Sequence, residues 1–529
     1  MKSPINKTIN FDIRFLLLIS MLFCVSLHAS ERKELAIERA INAYGGDHLL
    51  GLKRLHYRDL LLHFFEHQSG HNLQGPSSQH LNQIRLEVRL DFASQRGELK
   101  RQTELLVGYH DSHNVTATHR IYQDGKGYNI DHFLQTFQVS KRFDIDNVDL
   151  GYSQMLDPLI VRKLASERTQ ALWVDSAFIQ GKAHDVLIVN QGKNDEYTVY
   201  IDRATGMLSR MLQQRGSIIR TYDFLEHQIQ SIIPWAKRFM VSANGSPIYH
   251  SNSRELRTGD GLEVAFRVPA HYQKAEPVEP YNVSNMTIRA LANGVYFVGK
   301  EWGYTLFVDA GDYYVSAGAW GMEQRSDDWL KALELLYQTT AEFKPVKLHL
   351  VSHHHTDHMS ELHDVLDHGA RILSHSTDVN SIKSFLSERA VADQQFVEFS
   401  PNMTIANDRV LILDVPSSQA SHNLVMYLPK EKILFSEDMF GSSLQTGHHS
   451  PRAWPHMDTY QRLHRLQTSL QEQRIEPHQY LSSHHGRVLS HGEIEEAMEV
   501  SLPSSEVIER RLFQGHRDSE KSVKLKFKQ

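Results

Sequence analysis

The sequence predicts an α+β protein of two domains, the first rich in antiparallel strands and the second alternating strands with helices. Three observations carry this. One stretch near the start has apolar residues at helical spacing. The chain from there to about residue 270 runs in short segments of alternating polarity. Beyond a proline-bearing segment the rhythm then changes to strand, helix, strand. A chain of 529 residues also exceeds one ordinary domain.

The first element is a helix over about 34–46. Leu35, Ile37, Ala40, Ile41 and Tyr44 share one helical face, and Gly45-Gly46 ends it. Next come "LHYRDLLLHFF", "IRLEVRLDF", "DVLIVNQ" and "YTVYIDRATGMLSRM", whose period near two suggests one large antiparallel sheet. Within the last, Thr205-Gly206 marks a turn between two strands. These elements make a β-rich domain over 31–270. A linker follows over 271–284, where prolines recur and no period is visible. From 285 to 502, "GVYFVG", "YTLFVDAG" and "YYVSAG" lead to the helical "SDDWLKALELLYQTTAEF" and the strand "VKLHLV". Residues 503–529 read as a polar, basic tail.

The N-terminus reads differently. Lys2, Lys7 and Arg14 precede an apolar run from Phe15 to Leu27, and "HAS" supplies small residues before a charged stretch. That is the layout of a secretory signal over 1–30, and the run is shorter than the roughly 20 residues that span a bilayer. A periplasmic or secreted protein is expected. Cys24, the one cysteine, lies inside that signal, so the mature chain would have no disulfide and no thiol nucleophile. The net charge of -6 gives no basic footprint, which argues against a nucleic-acid partner.

Chemistry concentrates in Ser352-His353-His354-His355-Thr356-Asp357-His358. A histidine triplet alone is weak in a chain with 33 histidines. His353-x-His355-x-Asp357-His358, set between a strand and a helix, is more demanding. Alternate residues leaving a strand project the same way, so His353 and His355 can share one metal ion. Asp357 and His358, at the helix start, point to a second position. Imidazole and carboxylate donors suit zinc, and also iron or manganese.

This motif resembles the His-x-His-x-Asp-His loop of the metallo-β-lactamase superfamily. The resemblance extends through "NGVYFVG", "EQRSDDWLKAL", "NLVMYLPKEKILFSEDMF" and "LSSHHGRV". It implies an αββα sandwich with up to two metal ions, and hydrolysis by a metal-held hydroxide as the commonest chemistry. Carried over, His353 and His355 match ligands of the first metal, and Asp357 and His358 those of the second. Asp438 matches the acid that bridges both ions, and His485 the distal histidine, with His484 its extra neighbour. Asp357 would also orient the attacking water as the catalytic carboxylate. "AIERAINAYGG", "YIDRATGMLSRM" and "LEVAFRVP" resemble the periplasmic lipoprotein-carrier fold, an antiparallel half-barrel around a helix, which implies a lipid or envelope component as partner of the N-terminal domain.

One position departs from the superfamily pattern. Its third first-metal histidine falls at Gln419, and the nearest histidine is His422. Either the loop is re-routed so that His422 supplies the ligand, or Gln419 leaves the first metal without its third imidazole. His354 is expected to face away from the site, and His363, His368 and His375 to be surface or satisfied core residues. His448, His449 and Trp454, in a loop after Asp438, are candidates for substrate contact. The expected function is an exported metallo-hydrolase acting on a small ester, lactone, thioester, amide or phosphoester. The rival is a non-catalytic envelope-binding protein with a degenerate metal site.

Overall fold

The computed structural model describes residues 29–66, 79–107, 115–132, 135–216, 218–259, 262, 266–275, 284–301, 303–318, 326–387, 389–417, 420–440, 457–499 and 504–514. The expected signal therefore lies almost wholly outside the described residues, as do Gln419, His448, His449 and Trp454. No helix among the described residues is long and apolar enough to cross a membrane.

The alternating runs form one sheet of fourteen strands. Two antiparallel meanders build it, one from Arg54–Glu66 to Thr136–Ser140 and the other from Ala171–Ile179 to Ser246–Thr258. They join at the centre, where Arg54–Glu66 pairs antiparallel with Ser246–Thr258. Of the linker expected over 271–284, Gln273–Lys274 instead adds a parallel edge strand beside Thr136–Ser140.

A helix over 29–43 and the helix Asp157–Ser166 cover one face of this sheet. Ala36, Ile37, Ala40, Ile41, Ile160, Val161 and Leu164 meet Tyr57, Leu61, Leu86 and Val88 there. A buried polar group fixes the junction. Tyr44 Oη donates to Asp157 Oδ2 at 2.7 Å, and the Ala236 amide donates to Asp157 Oδ1 at 3.1 Å.

The turn read at Thr205-Gly206 packs directly on the first helix. Gly206 has φ +76°, and a Cβ there would lie 2.7 Å from Arg39 O and 2.8 Å from the Ala43 Cβ. A left-handed backbone costs an L-residue about 1–2 kcal/mol before any clash is counted. Gly206→Ala is therefore expected to destabilise the protein by at least about 1 kcal/mol, read as a lowered urea midpoint at unchanged slope. An unchanged midpoint would contradict this packing.

The C-terminal part is layered helix, sheet, sheet, helix. A seven-stranded sheet runs from Thr287–Ala292 to Phe396–Glu398, and a six-stranded sheet from Thr404–Ile405 to His485–Ser490, each in chain order. Strand alternation sorts the side chains. Leu306, Val308, Leu424, Met426 and Leu428 fill the space between the sheets. Phe307 turns outward to Trp329, Leu333 and Leu336 of the helix Asp328–Thr340, while Val425 and Tyr427 turn outward to Leu463, Leu466 and Leu470 of the helix Met457–Glu472.

The expected tail begins as structure. Ser505–Glu509 is helical and continues as a wider turn to Gln514, burying Ile508 and Leu512. Gln102 Nε2 donates to Ser505 Oγ at 3.0 Å, and Arg85 pairs with Glu509, so this segment rests on the N-terminal sheet. Residues 515–529 lie outside the described residues.

Candidate metal centre

The histidine motif leaves the strand Val346–Leu350 at the seam of the two sheets. The Val351 amide bonds Leu373 O at 2.9 Å, and Ser352 O accepts from the Leu424 amide at 2.9 Å. One sheet thus holds the loop from one side and the second sheet from the other. His355 then stands immediately before the short helix Thr356–Met359.

Asp438 arrives just after the strand Ile433–Phe435. Ser436 N bonds Leu481 O at 2.9 Å, and Ser482 Oγ donates to Glu437 O at 2.5 Å. Ser482 pairs with His485 across a tight turn, so Ser483 and His484 form its tip. Among the described side chains of this turn, the His484 imidazole reaches the cluster, its Nε2 contacting Asp438 Oδ1. The His485 side chain lies outside the described residues.

Two neighbouring donor sets result. His353, His355 and Asp438 offer ligand atoms within 4.8 Å of one another, and so do Asp357, His358 and His484. A third set joins His353, His358 and Glu437. Asp438 Oδ2 lies 3.6 Å from His353 Nε2 and 3.2 Å from His358 Nε2, which places it between the sets. Asp357 Oδ2 is 3.8 Å from His358 Nε2 and 3.9 Å from His484 Nε2. His353, His355 and His358 are buried, whereas Asp357 and His484 sit on the side nearer solvent.

Polar partners orient the rings. Ser352 Oγ lies 2.7 Å from His353 Nδ1, and the Glu437 carboxylate contacts His358 Nδ1. Each contact occupies one nitrogen and turns the other inward, the arrangement that fixes the tautomer of a metal-binding histidine. His353 Nε2 and His358 Nε2 are buried and both face the Asp438 carboxylate. Inward-facing nitrogens gathered around a carboxylate are placed as ligands are. A zinc-class ion fits this donor set of imidazoles and carboxylates.

Electrostatics point the same way. Burial opposes charge on His358, yet Glu437, Asp357 and Asp438 outweigh it and hold the imidazole well above the ordinary histidine range. Burial likewise opposes the ionised form of Asp438, but His484 and His358 hold it well below the usual carboxylate range. Three carboxylates converging in a buried space call for positive charge.

Glu437 escapes the motif reading, although the adjacent acids of "FSED" were its signal. It sits behind His358 and makes that ring a better donor. Glu437→Gln is expected to lower zinc affinity about 10- to 100-fold with the fold intact, measured by competition with a chromogenic chelator. Unchanged affinity would remove Glu437 from this role.

The remaining candidates fall elsewhere. His354 is buried, with Nδ1 3.6 Å from Asp378 Oδ1. His422 is placed with Asp414 and His375 in a separate donor set.

No protein-family model matches the chain, and no curated protein matches it. Among solved structures it is similar to the DIM-1 metallo-β-lactamase at 14% identity, over 41% of this chain and 96% of that one, with a TM-score of 0.31. The mono-zinc form of the metallo-β-lactamase FIM-1 from Pseudomonas aeruginosa is similar at 15% identity, over 44% and 98%, with a TM-score of 0.31. A metallo-β-lactamase from Hirschia baltica is similar at 14% identity, over 41% and 99%, with a TM-score of 0.30.

Proposed function

We propose that the protein is an exported metal-dependent hydrolase. The observation that carries this reading is the convergence of His353, His355, Asp357, His358, Asp438 and His484 at one edge of a two-sheet sandwich. Divalent zinc, if held there, would supply a nucleophilic water at neutral pH and a Lewis acid for a carbonyl or phosphoryl oxygen.

The protein side of the chemistry follows from the placement of each group. His353 and His355 would hold one ion and His358 and His484 the other, with Asp438 between them. Asp357 lies on the more open side, where its carboxylate would accept a hydrogen bond from the attacking water and set its direction. The buried walls behind His353 and His358 keep other water out, which strengthens every interaction inside. An ester, lactone, thioester, amide or phosphoester of small size fits this chemistry, and the N-terminal sheet would take a lipid or envelope component.

Metal quantification of the purified protein beside a panel of those ester, lactone, thioester, amide and phosphoester substrates tests the reading. Bound zinc together with chelator-sensitive turnover of one class is expected. A protein that takes up no metal at the central cluster would end the hydrolase proposal.

A further inference from the structure

The N-terminal sheet carries a buried chain of four polar side chains that the proposed reaction does not use. Glu98 comes from the strand Arg96–Val107, His119 from the strand Val115–Gln123 and His132 from the turn after the strand Lys126–Asp131. Tyr272 comes from the segment 266–275 that leads out of this sheet. His119 Nε2 lies 2.9 Å from Glu98 Oε1, His119 Nδ1 2.7 Å from His132 Nε2, and His132 Nδ1 2.7 Å from Tyr272 Oη. All four residues are buried, and Ile121, Ile130 and Phe266 pack with Tyr272. The two imidazole planes are 12° from parallel, with ring centres 5.0 Å apart. Since their nitrogens approach to 2.7 Å, the rings lie edge to edge in nearly one plane. The N–H of one therefore points along the lone pair of the other.

We propose that this chain is an acid-released latch that holds the segment 266–275 on the N-terminal sheet. Its protons run in one direction. Arg89 and Lys100 approach the Glu98 carboxylate at 3.4 Å and 3.9 Å and keep it ionised, so it accepts from His119 Nε2. His119 Nδ1 then accepts from His132 Nε2, and His132 Nδ1 accepts from Tyr272 Oη. Both rings are neutral and both nitrogens of each are in use. An added proton must occupy a nitrogen that now accepts. On His119 Nδ1 it reverses the links to His132 and Tyr272, and it sets a further cation beside Arg89 and Lys100 in a buried space. At the other end, Asp131 and Arg511 act on Tyr272. Burial holds His119 below the ordinary histidine range, and Lys100 and Arg89 add to this against the pull of Glu98. The proton therefore favours an open state in which water reaches the rings. Opening frees Gln273 and Ala275, whose amides bond Gln135 O at 3.0 Å and Phe137 O at 2.8 Å. The stability that the latch contributes is present above the ordinary histidine pKa of about 6.5 and is lost as pH falls below it.

Hydrogen–deuterium exchange of the full chain at about pH 7.5 and about pH 5.5 tests the latch, with protection corrected for the intrinsic exchange rate at each pH. Exchange reads backbone opening alone, so the outcome is separate from the hydrolase reading. One histidine that regains its ordinary pKa on opening lowers the protection of the Gln273 and Ala275 amides about tenfold between these two conditions. The amides of the strand Lys182–Val189, in the other meander, are expected to keep theirs. A double variant, His119→Gln with His132→Gln, has no ring to take up the proton, and its protection at Gln273 and Ala275 should change by less than about twofold. Circular dichroism checks that this variant is folded, and the natural protein decides the matter even if it is not. Equal protection at both pH values in the natural protein overturns the proposal. So does an equal fall in Lys182–Val189, which would mark loosening of the whole sheet. A folded double variant that still loses about tenfold overturns it as well, since the titrating group would then lie elsewhere.

Discussion

Asp438→Asn is expected to lower kcat/KM about 1,000-fold, equivalent to about 4 kcal/mol of transition-state stabilisation. It is also expected to release the central metal. Asp438 touches rings from both donor sets. His353 and His358 approach Oδ2, and His484 contacts Oδ1. Asparagine keeps the shape and one oxygen but replaces an anion with a neutral amide, half of which is a donor facing imidazole nitrogens. The ion would lose its bridging charge, and the remaining imidazoles would face one another with only Asp357 and Glu437 to balance a cation. The apolar clusters that hold the two sheets together lie beside this point without including it, so the fold should persist. Steady-state kinetics with metal analysis of the same sample check both halves. A variant that keeps its metal and half its activity would show that Asp438 is not the bridge.

Much of this site was legible because its spacing is local. His353 to His358 is a strand–loop–helix segment, and alternation along a strand followed by one helical turn dictates how its side chains point. Asp438 could be read from the "FSED" segment that follows a buried strand. His484 was harder. Its place at the tip of the turn is set by the pairing of Ser482 with His485. The partners of His422 were hidden for another reason. Asp414 is eight residues away and His375 forty-seven, and only the neighbouring ends of strands in two different sheets bring them together.

The same contrast runs through the fold. Period-two alternation marked the strands but not the order in which two meanders join, because pairing of Arg54–Glu66 with Ser246–Thr258 closes a loop of nearly 200 residues. The segment from Ser505 to Gln514 escaped as a helix because it buries little beyond Ile508 and Leu512. A helix that short shows no stripe, and its stability comes from the sheet on which it rests. Glu437 illustrates the general difficulty. A charged residue in a sequence reads as surface until a buried histidine is known to stand in front of it.

Arg254→Ala is expected to destabilise the N-terminal sheet by about 3–5 kcal/mol, the cost of breaking a buried ion pair from one side. Arg254 and Asp59 face each other at 3.1 Å with both side chains fully buried, at the seam where the two meanders meet. The guanidinium also stacks over Phe239, its carbon 4.0 Å from the ring centroid, and Nη2 donates to Met155 O at 3.3 Å. Truncation removes the packing and the charge together. Ser251 Oγ still donates to Asp59 at 2.5 Å, but one hydroxyl does not compensate a buried carboxylate. Burial already pushes Asp59 upward against the pull of Arg254, so without the arginine it would take up a proton and recover part of the loss. Replacing both residues, Asp59→Leu with Arg254→Met, should therefore cost less than Arg254→Ala alone, because no charge is left stranded. Urea unfolding followed by tryptophan fluorescence measures both variants. If the double variant proves as unstable as the single one, shape at the seam, not charge, would be what Arg254 and Asp59 supply.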